Sequence, residues 1–179
     1  MTAEPEFSRR IAIDTIGGGA ATHEIAASEE ECAALAKRFG LQSVGGLSAH
    51  AGVHRDGDAI VAKGAVHADI VQSCVVTGDA VPAVISEAFD LRFVPEHAPA
   101  DEEEIELSAD ECETLTYSDG AIDLGEAVAQ TMALALDPFP RSANADAALQ
   151  EAGVISEEEA GPFGALKGLR DQLAAKGEG

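Results

Sequence analysis

The sharpest alternation of apolar and polar positions in the chain lies between Asp58 and Pro95. Ile60, Ala62, Gly64, Val66, Ala68 and Ile70 interleave with Val61, Lys63, Ala65, His67, Asp69 and Val71, a period near two. Further on, Ile85, Phe89, Leu91 and Phe93 fall on one side, with Ser86, Asp90 and Arg92 on the other. That period is the signature of strands with one buried face. Thr77-Gly78-Asp79 between them supplies turn chemistry, since Gly accepts positive φ and Asp closes its own turn. The pattern predicts an antiparallel hairpin at the centre of a sheet.

Helical spacing predicts two helices. Ser28, with Glu31 three residues on, forms a capping box, and Leu35 and Phe39 share a face. Gly40 is the stop, after Lys37 and Arg38 in the last turn. The second helix covers Asp123 to Ala135, with Asp123 as N-cap, Glu126 at N3, and Leu124, Val128, Met132 and Ala135 as its buried stripe. Asp137-Pro138-Phe139-Pro140-Arg141 ends it, because two prolines cannot continue the ladder.

Around these elements the pattern is weaker. Phe7 to Ile16 reads as a first strand and Thr22 to Ala26 as a short second one. Leu41 to Val53 reads as a short strand interrupted by Gly45-Gly46, and Asp56-Gly57-Asp58 as a tight turn into the hairpin. Gly17-Gly18-Gly19 is a poor phosphate cradle, since no Lys-Ser/Thr and no helix follow it. His50 and His54 have helix-face spacing, but Gly52 and strand signals between them argue against a metal pair. Eight of the thirteen residues from Asp101 to Glu113 are acidic, which predicts a solvated loop over about 96–118, ordered where ELSADECETLTY touches the sheet. The expected organisation is an α+β domain over 1–141, then a linker and an amphipathic C-terminal helix over 142–179 carrying Phe163, Leu166, Leu169 and Leu173. Its sheet is expected to be mainly antiparallel and strongly bent or barrel-like.

Composition narrows the function classes. With 11 basic and 33 acidic residues, the net charge of −22 repels phosphate, so neither DNA nor a nonspecific grip on RNA is expected. Three cysteines, Cys32, Cys74 and Cys112, stand far apart without a CxxC, so no disulfide framework, metal site or cofactor is expected. The opening residues lack a signal-peptide core and no apolar run reaches membrane-spanning length, so a cytoplasmic protein without membrane contact is expected. Ser73-Cys74 has no placeable His and Asp partners, so no catalytic residue is assigned.

The blocks GAVHADIVQSCVVTGDAVPAVISEAFDLRFVPE and GAIDLGEAVAQTMALALDPFPR, separated by the acidic stretch, resemble the YceD family, the large ribosomal RNA subunit accumulation proteins. The resemblance spans roughly Phe7 to Arg141, and the closing GPFGALKGLR is similar to the proteobacterial branch. It implies a bacterial, non-enzymatic factor for the accumulation or processing of large-subunit ribosomal RNA. The implied partners are the large-subunit precursor particle, its rRNA or a ribosomal protein. Many family members show a CxxC at the turn, and some have further cysteines after the helix. Here Cys74 is followed by Thr77, and DPFPRSANAD has no cysteine, so one thiol cannot build a zinc site. Cys74 then reads as a small buried hydrophobe at a strand end.

Candidate interaction residues, chosen from these blocks and from charge, are Arg55, Lys63, Cys74, Arg92, Asp123, Asp137 and Arg141. A local basic patch of Arg9, Arg10, Arg55, Lys63 and Arg92 is the alternative, direct RNA reading. A degenerate metal-binding protein is the more remote one.

Overall fold

The alternation between Ile60 and Phe93 becomes two long paired strands in the computed structural model, which describes residues 5–96 and 113–154. Strand β1 (Arg10–Ala12) is followed by β2 (Ala21–Ala26), helix α1 (Glu29–Phe39), β3 (Ser43–Asp56), β4 (Ala59–Ser73) and β5 (Ala80–Pro95). Then come β6 (Glu113–Tyr117), β7 (Ala121–Asp123), α2 (Leu124–Leu134) and α3 (Ala145–Glu151). The β4–β5 register sets Ala68 against Ile85, Gly64 against Phe89, Ala62 against Leu91 and Ile60 against Phe93. All the residues expected to face the core therefore do so together.

Five strands form one sheet in the order β2-β3-β4-β5-β6, and β1 pairs with β7 in a separate ribbon. Pairing is antiparallel except between β5 and β6, which run parallel from Leu91↔Glu113 to Pro95↔Tyr117. The sheet is neither barrel-like nor strongly curled, contrary to the expectation: among the described residues, β2 and β6 end as open edges. The reason lies in the layers. α1 packs on β3 and α2 packs on β4, β5 and β1, so the helices cover the apolar face and the sheet has no need to close on itself. Leu35, Leu124, Val128 and Met132 are completely buried against Val53, Ile60 and Leu91. Each such side chain contributes about 1.5–3 kcal/mol relative to exposure.

Three further expectations need correction. Only Arg10–Ala12 of the first segment is a strand; Ile13–Thr15 turns as a 3-10 helix, while Phe7 leaves the surface altogether and is buried. The segment around Gly45-Gly46 is one continuous fourteen-residue strand, and the glycines mark a register shift between Val44 and Gly46. A short helix, α3, stands inside the expected linker. The acidic stretch before Glu113 and the helix expected after Pro162 lie outside the described residues.

The capping chemistry forms as spelled. Ser28 Oγ accepts the Glu31 N–H, the Glu31 carboxylate accepts the Ser28 N–H, and Gly40 closes the helix at φ 66°. Glu31 also takes both Arg9 guanidinium nitrogens, at 2.7 and 2.9 Å. Those bonds, foremost the guanidinium and then the Ser28 N–H, hold the Glu31 carboxyl down to about 2. A carboxyl depressed in the fold stabilises fully above its unfolded value and loses that stabilisation as pH falls toward the folded one. Wild type and Glu31→Gln should therefore differ most in melting temperature near neutral pH and converge between pH about 4.5 and about 2. The pair is partly solvated, so the gap will be smaller than the shift alone implies. A gap independent of pH would remove the carboxylate from this role.

Candidate protein-docking surface

The predicted residues separate into three groups. Cys74, Asp137 and Arg141 meet at one end of the molecule, where the β4–β5 turn rests on the segment leaving α2. The Val75 N–H donates to Pro140 O at 2.9 Å. Gln72, the one buried polar side chain among the described residues, donates to Asp137 O at 2.8 Å. Asp137 Oδ1 accepts the Phe139 N–H at 2.9 Å, which fixes the Pro138-Phe139-Pro140 bend. Arg141 reaches Asp146 at 3.2 Å on the surface, a pair of small energetic consequence.

Cys74 is buried. Ser142, through its hydroxyl and N–H, and Thr77 hydrogen-bond to its sulfur and lower the thiol to about 6, below the usual range. Thr77 Oγ1 and Ser142 Oγ lie 3.2 Å apart, and Ser142 also donates to Asp79. The two stretches where the resemblance would place further cysteines thus face one another, joined by hydroxyls. Among the described residues, no three His, Cys, Asp or Glu side chains converge to hold a metal ion.

Beside this junction lies a hollow of about 540 Å³, lined mainly by apolar groups from Phe39, Leu41, Val75, Leu134, Leu136 and Pro138. Leu134 and Phe139 are each 72% exposed and Val75 55%, which is costly hydration for a folded protein to retain. Reasoning from the sequence missed this surface. The available signal was Leu134, an apolar residue off the buried stripe of α2, followed by an apolar Pro-Phe-Pro bend.

The second group is basic, and the fold gives most of it partners of its own. Arg55 donates to the carbonyls of Ile13 and Ile16, pinning the turn after β1 against β3. Lys63 pairs with Asp90 at 2.6 Å and Arg92 with Asp56 at 3.3 Å. Arg9 is held by Glu31, and Arg38 by Glu6 and Glu126. Arg10, exposed on β1, sits opposite Asp123. Lys63 and Arg92 are near neighbours across the β4–β5 pair, and each carries an acidic partner. His50 and His54 lie on the strand β3, so no helix face joins them.

Asp123 stands alone and is structural. Its carboxylate accepts the N–H of Glu126 and of Arg9 and the hydroxyl of Ser8, tying α2 to the N-terminal segment.

A model of the YceD family, the large ribosomal RNA subunit accumulation proteins, matches residues 62–170, more than half of the sequence. The chain belongs to the YceD family. The matched region begins inside β4 and takes in the turn of Cys74, both hollow-forming segments of β4 and α2, and α3. It leaves out β1 to β3 and α1, which the resemblance had included, and extends past Arg141. No curated protein and no solved structure matches the chain. The YceD family is linked to accumulation of large-subunit ribosomal RNA. Among the described residues, no helix is long and apolar enough to cross a membrane.

Proposed function

We propose that this YceD protein is a non-enzymatic, cytoplasmic factor of the proteobacterial branch that supports large-subunit ribosomal RNA by holding a protein partner at the hollow between α1, α2 and the β4–β5 turn. The observation carrying this reading is the apolar hollow lined by Leu134, with Phe139 on the bend between the lining residues Pro138 and Pro140; both side chains are largely exposed. Apolar lining with few polar groups suits a partner's side chains better than a reacting substrate. A net charge of −22 favours a basic partner, such as a ribosomal protein on a precursor particle. Direct RNA binding loses support because Arg9, Arg55, Lys63 and Arg92 are each engaged within the fold.

Leu134→Asp with Phe139→Asp should leave the melting temperature nearly unchanged, since both side chains already face water. The same variant should lose recovery of large-subunit precursors or ribosomal proteins by crosslinked affinity purification. It should also fail to restore large-subunit RNA in a deletion strain. Full restoration by the double variant rejects the hollow, and unchanged RNA on deletion rejects the function.

A further inference from the structure

β5 is paired with β4 along its length, but β6 covers its other side only from Leu91 to Pro95. From Ala80 to Phe89, no described strand pairs with that outer side. Two observations fix which backbone groups point there. The Glu96 N–H reaches Tyr117 O at 3.0 Å on the β6 side, and the β4–β5 register runs without a shift from Ala80 to Phe93. Because backbone groups alternate between the two sides of a strand, the N–H and C=O of Val84, Ser86 and Ala88 point away from β4. Pro82 falls in the same phase, where a residue without an N–H leaves the β4 ladder intact.

The side chains add chemistry to this edge. Val84 is 65% exposed, and Ser86 and Ala88 are exposed beside it. Glu87 stands opposite Val66, on the face the helices cover elsewhere, yet it is exposed. An inward-facing acid at an open edge disfavours pairing with another copy of this acidic chain and favours a cation directly across from it.

We propose that the β5 edge between Pro82 and Phe89 receives an extended basic segment of a protein partner as an added strand. Main-chain bonds to Val84, Ser86 and Ala88 hold the segment, and a Lys or Arg across from Glu87 selects it. This rests on the protein-partner reading above and specifies the partner's chemistry: a cationic, strand-forming stretch of the kind that also suits RNA phosphate.

The test is fluorescence anisotropy of a labelled decapeptide alternating Lys with Val and Thr, against the full chain, with a Glu-for-Lys peptide as counterpart. Wild type should bind the cationic peptide and not the anionic one. Ser86→Pro removes one outward N–H and no bond to β4, so it should weaken binding about tenfold while keeping the melting temperature. Glu87→Lys should abolish the preference for the cationic peptide. On binding, amide exchange should slow at Val84, Ser86 and Ala88. Equal binding by wild type and both variants, or no binding by wild type, overturns the proposal. Slow exchange of those three amides in the free protein also overturns it, because the chain's own residues would then cover the edge. Ser86→Pro that fully restores large-subunit RNA, alongside failure of the Leu134/Phe139 variant, rejects the edge and leaves the protein-partner reading standing.

Discussion

Replacing Gly64 by alanine is expected to destabilise the protein by about 3 kcal/mol, although the change adds one methyl group. A β-carbon at Gly64 would collide with His50 O and would stand 2.8 Å from Ala51 Cα and 2.9 Å from the His50 carbonyl carbon. All three are backbone atoms of β3, so no side chain can swing aside to make room. The strands must separate where Gly64 pairs with Ala51 and, on its other side, with Phe89, at the middle of both long ladders. Gly46→Ala is the matched control, since nothing lies within 4 Å of the added carbon there. Urea unfolding of both variants tests the argument. Equal midpoints for Gly64→Ala and wild type would show that β3 and β4 do not approach as closely as described.

Asp123→Ala is the second large effect, at about 2–4 kcal/mol from a lost cap and two further orphaned donors. Asp123 Oδ1 accepts from Arg9 N at 2.8 Å and Glu126 N at 3.1 Å, while Oδ2 accepts from Ser8. Those bonds draw the N-terminal segment over α2, where Phe7 is completely buried. The approach is close enough that a β-carbon on Gly125 would meet Phe7 O at 2.5 Å. Losing the carboxylate should therefore loosen Phe7 as well as the helix start. Asp123→Asn keeps one acceptor oxygen and should lose roughly half as much. Denaturation midpoints give the energies, and limited proteolysis should cut the alanine variant first before β1. Cleavage that begins elsewhere, with an unchanged midpoint, would contradict this role.

Both predictions concern positions that a sequence describes unequally. Asp123 is legible as an N-cap from the three-residue spacing to Glu126, but its hold on Ser8 and Arg9 spans more than a hundred residues. Gly64 looks like one more small residue in an alternating strand. The same division explains the basic residues. Arg55, Lys63 and Arg92 are visible as cations, but their partners Ile13, Asp90 and Asp56 are brought to them by the tertiary fold.

By itself, the sequence determined the local structure: the β4–β5 hairpin, the capping box of α1 and the cap of α2. Period-two patterning, turn residues and caps act over a few neighbours, and their physics needs nothing distant. It also carried the family resemblance. The tertiary structure alone decided that the sheet stays open, that β6 runs parallel to β5, and that Phe39, Val75, Leu134 and Pro138 line one hollow. Those outcomes depend on contacts between segments far apart in the chain, which register, helix placement and the loss of chain entropy settle together.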